Sequence, residues 1–459
     1  MLPFRLTRRA VTCACVLLWL PGLAHGQSGE SNVRVFSSLF GGATSMRDGV
    51  HAVDFNASLF GGYDDDVLSR GSNSPRPIDQ RLSGTFAGVQ ASLSYRRRHA
   101  RGAFAASART SYRYLTAQQE VIPTYHAAGL SYGTSLSPRT RVSFNQRVAY
   151  RPFFSVVPFD TGSTLDPSLG EIEPPELGGG DMGTDPGGDF ALASNRRAVT
   201  FSGGASLTRE ISRRSSLQFS ARYAAAQFLS SDVQGFNNLR WGVSGNYTYR
   251  ISDYLGARLG YGYRRFEART GTDSDNHDIN VGLLYNQPFV FGRGRTTLAF
   301  STGSTMLVRE RVDETGSSGD RFVWRALGTA TLAHDFVGPW QGQVSYIRAV
   351  GFLDGLNEPF IGDRVVASLG GMLGWRTDLF LSAGYVTGSF GLRDRNFDTA
   401  IAGGRIRTAL TRNLALFAQY FYYQYSFDDS LASDLFMPGA TERQGVRAGL
   451  TVWVPLLRR

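Results

Sequence analysis

From about Val53 to Val454 the chain alternates apolar and polar residues at every second position, in runs of about a dozen. Residues 255–264 show it plainly. Leu255, Ala257, Leu259, Tyr261 and Tyr263 fall on one side, and Gly256, Arg258, Gly260, Gly262 and Arg264 on the other. Side chains on a strand point to opposite faces with period two, so one face of such a ribbon wants hydrocarbon and the other wants water. Repeated along a whole chain, this predicts an all-β fold: a single transmembrane antiparallel β-barrel with a polar lumen.

The first 26 residues read as a secretory signal peptide. Arg5, Arg8 and Arg9 precede a short apolar stretch from Ala10 to Leu20, and Ala24-His25-Gly26 supplies the small-residue cleavage site. Both cysteines, Cys13 and Cys15, lie inside that stretch, so disulfide and thiol chemistry are excluded from the mature chain. Every basic side chain other than histidine is arginine. The formal charge of +10 falls to +7 when the three signal-peptide arginines are removed. This charge is spread over turns and one strand face rather than gathered in a patch, which argues against a nucleic-acid partner. No mature stretch approaches the roughly 20 apolar residues of a spanning helix. Outer-membrane lipid is the expected partner.

The alternation predicts strands over 50–63, 82–95, 103–116, 125–136, 141–154, 197–209, 215–229, 238–250, 255–269, 277–287, 295–308, 321–336, 340–352, 363–375, 378–391, 398–410, 413–427 and 443–456. That makes about 18, an even number, as single-chain bacterial barrels require. The connections alternate in kind. Short ones carry turn residues: Ser137-Pro138-Arg139-Thr140, Ser212-Arg213-Arg214, Ser252-Asp253, Gly338-Pro339, Thr377 and Thr411-Arg412-Asn413. Long ones are acidic, with Asp64-Asp65-Asp66, Asp273 to Asp278, Asp313-Glu314 and Asp428-Asp429. Placing both termini in the periplasm puts every long connection outside. The longest, about 155–196, is rich in Gly, Pro and acid and reads equally as a pore constriction or as a surface flap. Residues 27–49 form either a periplasmic segment or an extra short strand, since Ser38-Leu39-Phe40-Gly41-Gly42 recurs as Ser58-Leu59-Phe60-Gly61-Gly62. The barrel proper is residues 50–459.

The apolar set includes Tyr112, Tyr114, Phe144, Tyr150, Phe219, Tyr223, Trp241, Tyr247, Val365 and Tyr385, with aromatics gathered towards strand ends as in interfacial girdles. The opposite face carries Gly, Ser, Thr, Asn, Gln and arginine. By parity the inward arginines are Arg109, Arg113, Arg141, Arg147, Arg151, Arg222, Arg240, Arg250, Arg258, Arg264, Arg325, Arg405, Arg407 and Arg447. Inward acids, such as Asp54 and Asp335, are expected to be few. A lipid-facing arginine at mid-membrane costs about 2–4 kcal/mol, which enforces the parity. Guanidinium forks suit carboxylates and phosphates, so the reading is an anion-preferring path. The bland alternative is that the arginines pair with acids and merely fill the lumen. Arg348 breaks the pattern on the outer face near a strand end.

Catalytic and metal chemistry find little support. The mature histidines are His51, His99, His126, His277 and His334; the second is placed in a turn and the other four on the outer face. There is no spaced His pair or Cys ligand, and the acidic loops lack the Gly and terminal Glu of a calcium loop. The expectation is a non-enzyme without cofactor or metal.

Hairpins such as Tyr132 to Thr140 and Leu207 to Leu217 join long strands by Ser/Pro/Arg turns. In this style the chain resembles bacterial outer-membrane porins, more narrowly the β-barrel porins associated with exopolysaccharide systems. Arg447, Gly449, Val452 and Val454 match the polar–x–Gly–x–x–hydrophobic–x–hydrophobic signal that such proteins present to the barrel-assembly machinery, although the chain continues to Arg459 instead of ending in an aromatic. The resemblance implies transport, with polysaccharide-export components as partners. The rival readings are a surface receptor or adhesin displayed on a barrel and, more remotely, an embedded lipid- or glycan-modifying enzyme.

Overall fold

A computed structural model describes residues 51–65, 83–116, 120–151, 197–229, 237–252, 255–269, 273–285, 289–291, 294–312, 318–336, 338–352, 359–390, 395–428 and 440–458. The signal peptide, residues 27–49 and the connection at 155–196 lie outside them. Every regular element among the described residues is a strand: β1 (His51–Asp64), β2 (Gly84–His99), β3 (Gly102–Leu115), β4 (Glu120–Ser137), β5 (Thr140–Arg151), β6 (Ala198–Glu210), β7 (Ser215–Phe228), β8 (Asn238–Arg250), β9 (Leu255–Ala268), β10 (Ser274–Tyr285), β11 (Phe289–Phe291), β12 (Gly294–Val312), β13 (Ser318–Asp335), β14 (Gln341–Phe352), β15 (Pro359–Met372), β16 (Thr377–Phe390), β17 (Arg395–Ala409), β18 (Leu414–Phe427) and β19 (Ala440–Arg458). β10 and β11 both pair with β12 and are two pieces of one wall strand, so the ring has 18.

Sequence neighbours pair antiparallel throughout, and β1 pairs with β19 from Ala52↔Arg458 to Asp64↔Gly445, closing the ring. Closure matters physically. In hydrocarbon an open sheet edge would leave backbone donors and acceptors without partners, each costing several kcal/mol.

The short connections are made by hydroxyls at their first positions. Ser212 Oγ accepts the backbone N–H of Arg214 and Ser215, both at 3.1 Å. Thr411 Oγ1 does the same for Asn413 and Leu414, and Ser252 Oγ for Leu255. These side chains mimic a turn's own backbone bond, which is why Ser and Thr start the turns. At Gly338 the φ of 95° sets the tight turn before β14.

Alternation puts the large apolar side chains outside. Leu259 and Tyr261 are more than half exposed, while Arg258 and Arg264 between the same strands are buried at 7% and 4%. Outward aromatics pair across strands near the ends. His126 stacks on Tyr150 and accepts or donates a 2.8 Å bond with Thr110, and His277 bonds the Tyr261 hydroxyl at 2.8 Å. His51 and His334 sit in similar outer pairs. His99 is the last residue of β2 rather than part of a turn.

Three boundaries differ from the sequence expectation for physical reasons. β4 begins at Glu120 and not at 125, because a bulge, where Ser111 faces Tyr125 and Tyr112 faces Pro123, carries the strand past the proline. The β15–β16 turn is 373–376, with Leu373 N–H bonded to the Thr377 carbonyl at 2.9 Å, so Thr377 opens β16. β12 and β13 run to Val312 and back from Ser318, beyond the point where their outer neighbours stop. Arg348 is on the outer face, as its parity required. Its guanidinium lies 3.5 Å from the Asp363 carboxylate, which also accepts the Tyr346 hydroxyl. The exception is therefore a compensated charge, not a slipped register.

Candidate functional site: the lumen

The inner face does not match the sequence expectation in full. Parity holds, but two further residue classes line it. One is acidic. Asp64, Asp278 and Asp378 join Asp54 as buried inward carboxylates, each held by an arginine of an adjoining strand. Arg443 grips Asp64 (2.5 Å), Arg264 grips Asp278 (2.8 and 3.0 Å), Arg407 grips Asp378 (2.6 Å) and Arg96 reaches Asp54 (3.0 Å). Arg264 and Arg407, expected to serve the anion path, are thus counter-charged. Arg443 and Arg96 are functional neighbours that the sequence reading omitted. The signal was present in parity, since Asp64 falls in phase with Phe60 and Gly62 on β1.

The second class is aromatic. Phe60, Phe86, Phe228, Phe266, Phe360, Phe390, Phe397, Phe421, Tyr423, Tyr425 and Phe427 are all inward and at most 5% exposed. They gather towards the long-connection end and lie flat against the wall. Many rest on a glycine of the next strand. A Cβ on Gly88 would meet the Phe60 ring at 2.4 Å, one on Gly62 the Phe86 ring at 2.7 Å, and one on Gly445 the Phe421 ring at 2.3 Å. The inward glycines are therefore seats for rings, and equally for guanidinium stems: Gly242, opposite Arg264, leaves 2.9 Å to the Arg264 Cγ.

Against this lining the remaining expected arginines are distributed as follows. Arg113, Arg240, Arg258 and Arg447 are buried in the wall lining, and Arg109, Arg222 and Arg405 are half-buried. Arg113 lies over the Phe86 ring at 5.0 Å and Arg447 over Phe60 at 5.1 Å, a cation–π arrangement. Arg447 Nε donates to Gln419 Oε1 at 2.9 Å. Arg147 is exposed and held by the Tyr125 hydroxyl. The Arg151 side chain lies outside the described residues. Arg325 is exposed, on the part of β13 that pairs with β12 beyond the end of the ladder to β14. Arg447, Gly449, Val452 and Val454 all lie in the closing strand β19.

One recess gathers these groups. Asn56, Ser58, Gln90, Gln419 and Thr451 line it with Arg405, Arg407 and Arg447, and with the apolar faces of Phe60, Phe417 and Trp453. It spans β17–β18–β19–β1–β2, across the ring closure. Guanidinium forks, amides and rings together can hold a planar oxyanion with a carbon skeleton attached. Among the described residues no three metal-ligating side chains converge.

No protein-family profile and no curated protein matches this chain. Among solved structures it is similar to OpdQ of Pseudomonas aeruginosa, with 12% identity over 89% of this chain and 98% of the other, at a TM-score of 0.41. It is similar too to OccK2 (OpdF) of the same organism in complex with glucuronate, at 9% identity, 90% and 100% coverage and a TM-score of 0.41. OccAB1 of Acinetobacter baumannii gives 11%, 91%, 99% and 0.38. No residue role transfers at these identities.

Proposed function

We propose that the chain is an outer-membrane porin, a passive channel for polar solutes with a preference for anions. The observation that carries this reading is a closed ring, greasy outside, whose inward face among the described residues carries many more arginines than carboxylates. Among the described residues the inward arginines sit at several depths, with Arg109 on β3 and Arg222 on β7 at mid-strand and Arg96, Arg407 and Arg443 nearer strand ends. Guanidinium groups spaced along the lumen offer an anion successive sites and still let it leave, since conduction needs weak, repeated sites. In this reading both termini are periplasmic and the acidic long connections face outward. Export of an acidic exopolysaccharide is the finer version, supported by hairpin style alone, and barrel-assembly machinery is the partner for insertion.

The test is planar-bilayer conductance under a salt gradient. An anion-signed reversal potential is expected, and replacing Arg147 and Arg222 together by Gln should shrink it. A potential of cation sign, or bilayers that stay silent, would sink the proposal.

A further inference from the structure

Four observations isolate the long-connection end of β14–β15. First, the β13–β14 ladder runs only from Asp335↔Gln341 to Gly328↔Arg348, while β14 continues to Phe352 paired with β15 alone. Second, Arg264, inward on β9, donates Nη1–H to the Val350 carbonyl at 3.2 Å. β10, β12 and β13 stand between these two strands, and at about 4.8 Å per step the wall separation is roughly 19 Å. One side chain does not span that, so the end of β14 has left the wall inwards.

Third, Val350 and Ile361 have outward parity, in phase with Val344, Tyr346 and Val365, yet they pack against Leu327, which has inward parity on β13. The outer face of the β14–β15 end therefore stacks on the inner face of the β12–β13 hairpin. Its own inner face carries Phe360, whose ring centroid lies 5.3 Å from both Phe390 and Phe397, and Gly351, where a Cβ would meet the Phe360 ring at 2.4 Å. Fourth, Asn276 and Thr305, beside Asp278, are 0% exposed. Both amide atoms of Asn276 and the Thr305 hydroxyl have no hydrogen-bond partner among the described residues. Burying polar groups unpaired opposes the tucked arrangement.

We infer that residues 349–352 and 359–361 form a movable constriction of the lumen, clasped inward by Arg264, which Asp278 holds in turn, and able to swing back and extend the β13–β14 ladder. This rests on the channel reading. In the swung-out state the existing register continues, placing Val350 opposite Ala326 and Phe352 opposite Trp324. The move exchanges the Leu327 packing and the Arg264–Val350 bond for added backbone pairing and rehydration of Asn276 and Thr305. Two arrangements with compensating contacts make a bistable element.

Because the sequence from Gln27 onward has no cysteine, paired cysteines can trap each state. Leu327→Cys with Val350→Cys should cross-link readily in the folded protein and lower conductance at least twofold, reversed by reductant. Trp324→Cys with Phe352→Cys should cross-link more slowly and hold the larger conductance. Arg264→Gln alone should raise conductance. An arginine acting only as an anion attractant would lower it on removal, so the sign discriminates, and this variant serves if the cysteine pairs do not fold. A conducting parent whose conductance ignores both cross-links and the glutamine defeats the constriction alone. A silent parent in which the Leu327–Val350 pair still forms defeats the channel reading instead.

Discussion

The two sides of this barrel obey the same alternation and differ in how far their ladders run. On the side made by β16 to β19, β1 and β2, neighbours pair from end to end, as Thr377↔Thr408 to Phe390↔Arg395 and His51↔Arg97 to Asp64↔Gly84 show. On the side made by β12 to β15, one hairpin overshoots and the next falls short. The regular side carries the recess of guanidinium and amide groups, and the split side carries a strand end turned into the lumen. The lesson is that a barrel divides its labour by register. Complete ladders hold the lining of a recess in place, and an incomplete one leaves a piece of wall without its neighbour.

That division can be attacked at both sides. The largest effect is expected on the regular side from Gly449→Val, because a Cβ there meets the Leu59 carbonyl oxygen at 2.2 Å and Phe60 Cα at 2.7 Å. The folded barrel should be largely lost, seen as no shift between cold and boiled gel lanes. A normal shift would show that the closing pair tolerates displacement.

Asp378→Asn comes next. It leaves Arg407 buried without its carboxylate, which costs about 3 kcal/mol when a buried pair loses one partner. Denaturant midpoints should fall, while the reversal potential moves further towards anions because one lumenal negative charge is gone. A move towards cations would contradict the electrostatic picture. Smaller still is Thr411→Ala, which removes the hydroxyl that accepts two turn N–H groups and should cost about 1 kcal/mol by the same measurement. Last, Trp324→Ser changes an exposed side chain on the overshooting hairpin, and stability should stay within about 0.5 kcal/mol. A loss comparable to that of Asp378→Asn would mean that the hairpin supports the ring.

The wall was legible in the sequence because lipid and water impose a period of two, which no local packing can override. Strand number, the inward arginines and the outer histidines all follow from it. The lining was less legible. Inward rings such as Phe421 and Tyr423 break the expectation of a purely polar face, and they are tolerated because neighbouring glycines such as Gly445 seat them against the wall. Parity alone gives direction, not what a side chain lies against. The same limit hid the acids: Asp278 read as part of a solvated loop, yet it sits opposite Thr305 inside the ring. The inward turn of Val350 was beyond any pattern, since its residue still alternates correctly and only the neighbour's stopping point reveals the departure.

The β1–β19 ladder joins residues almost four hundred positions apart, with Arg443 and Asp64 clamped across it. The cylinder can therefore be sealed only after the final strand is delivered. A chain halted before Ala440 would hold seventeen staves with no hoop, and its bare margins on β1 and β18 would seek other chains.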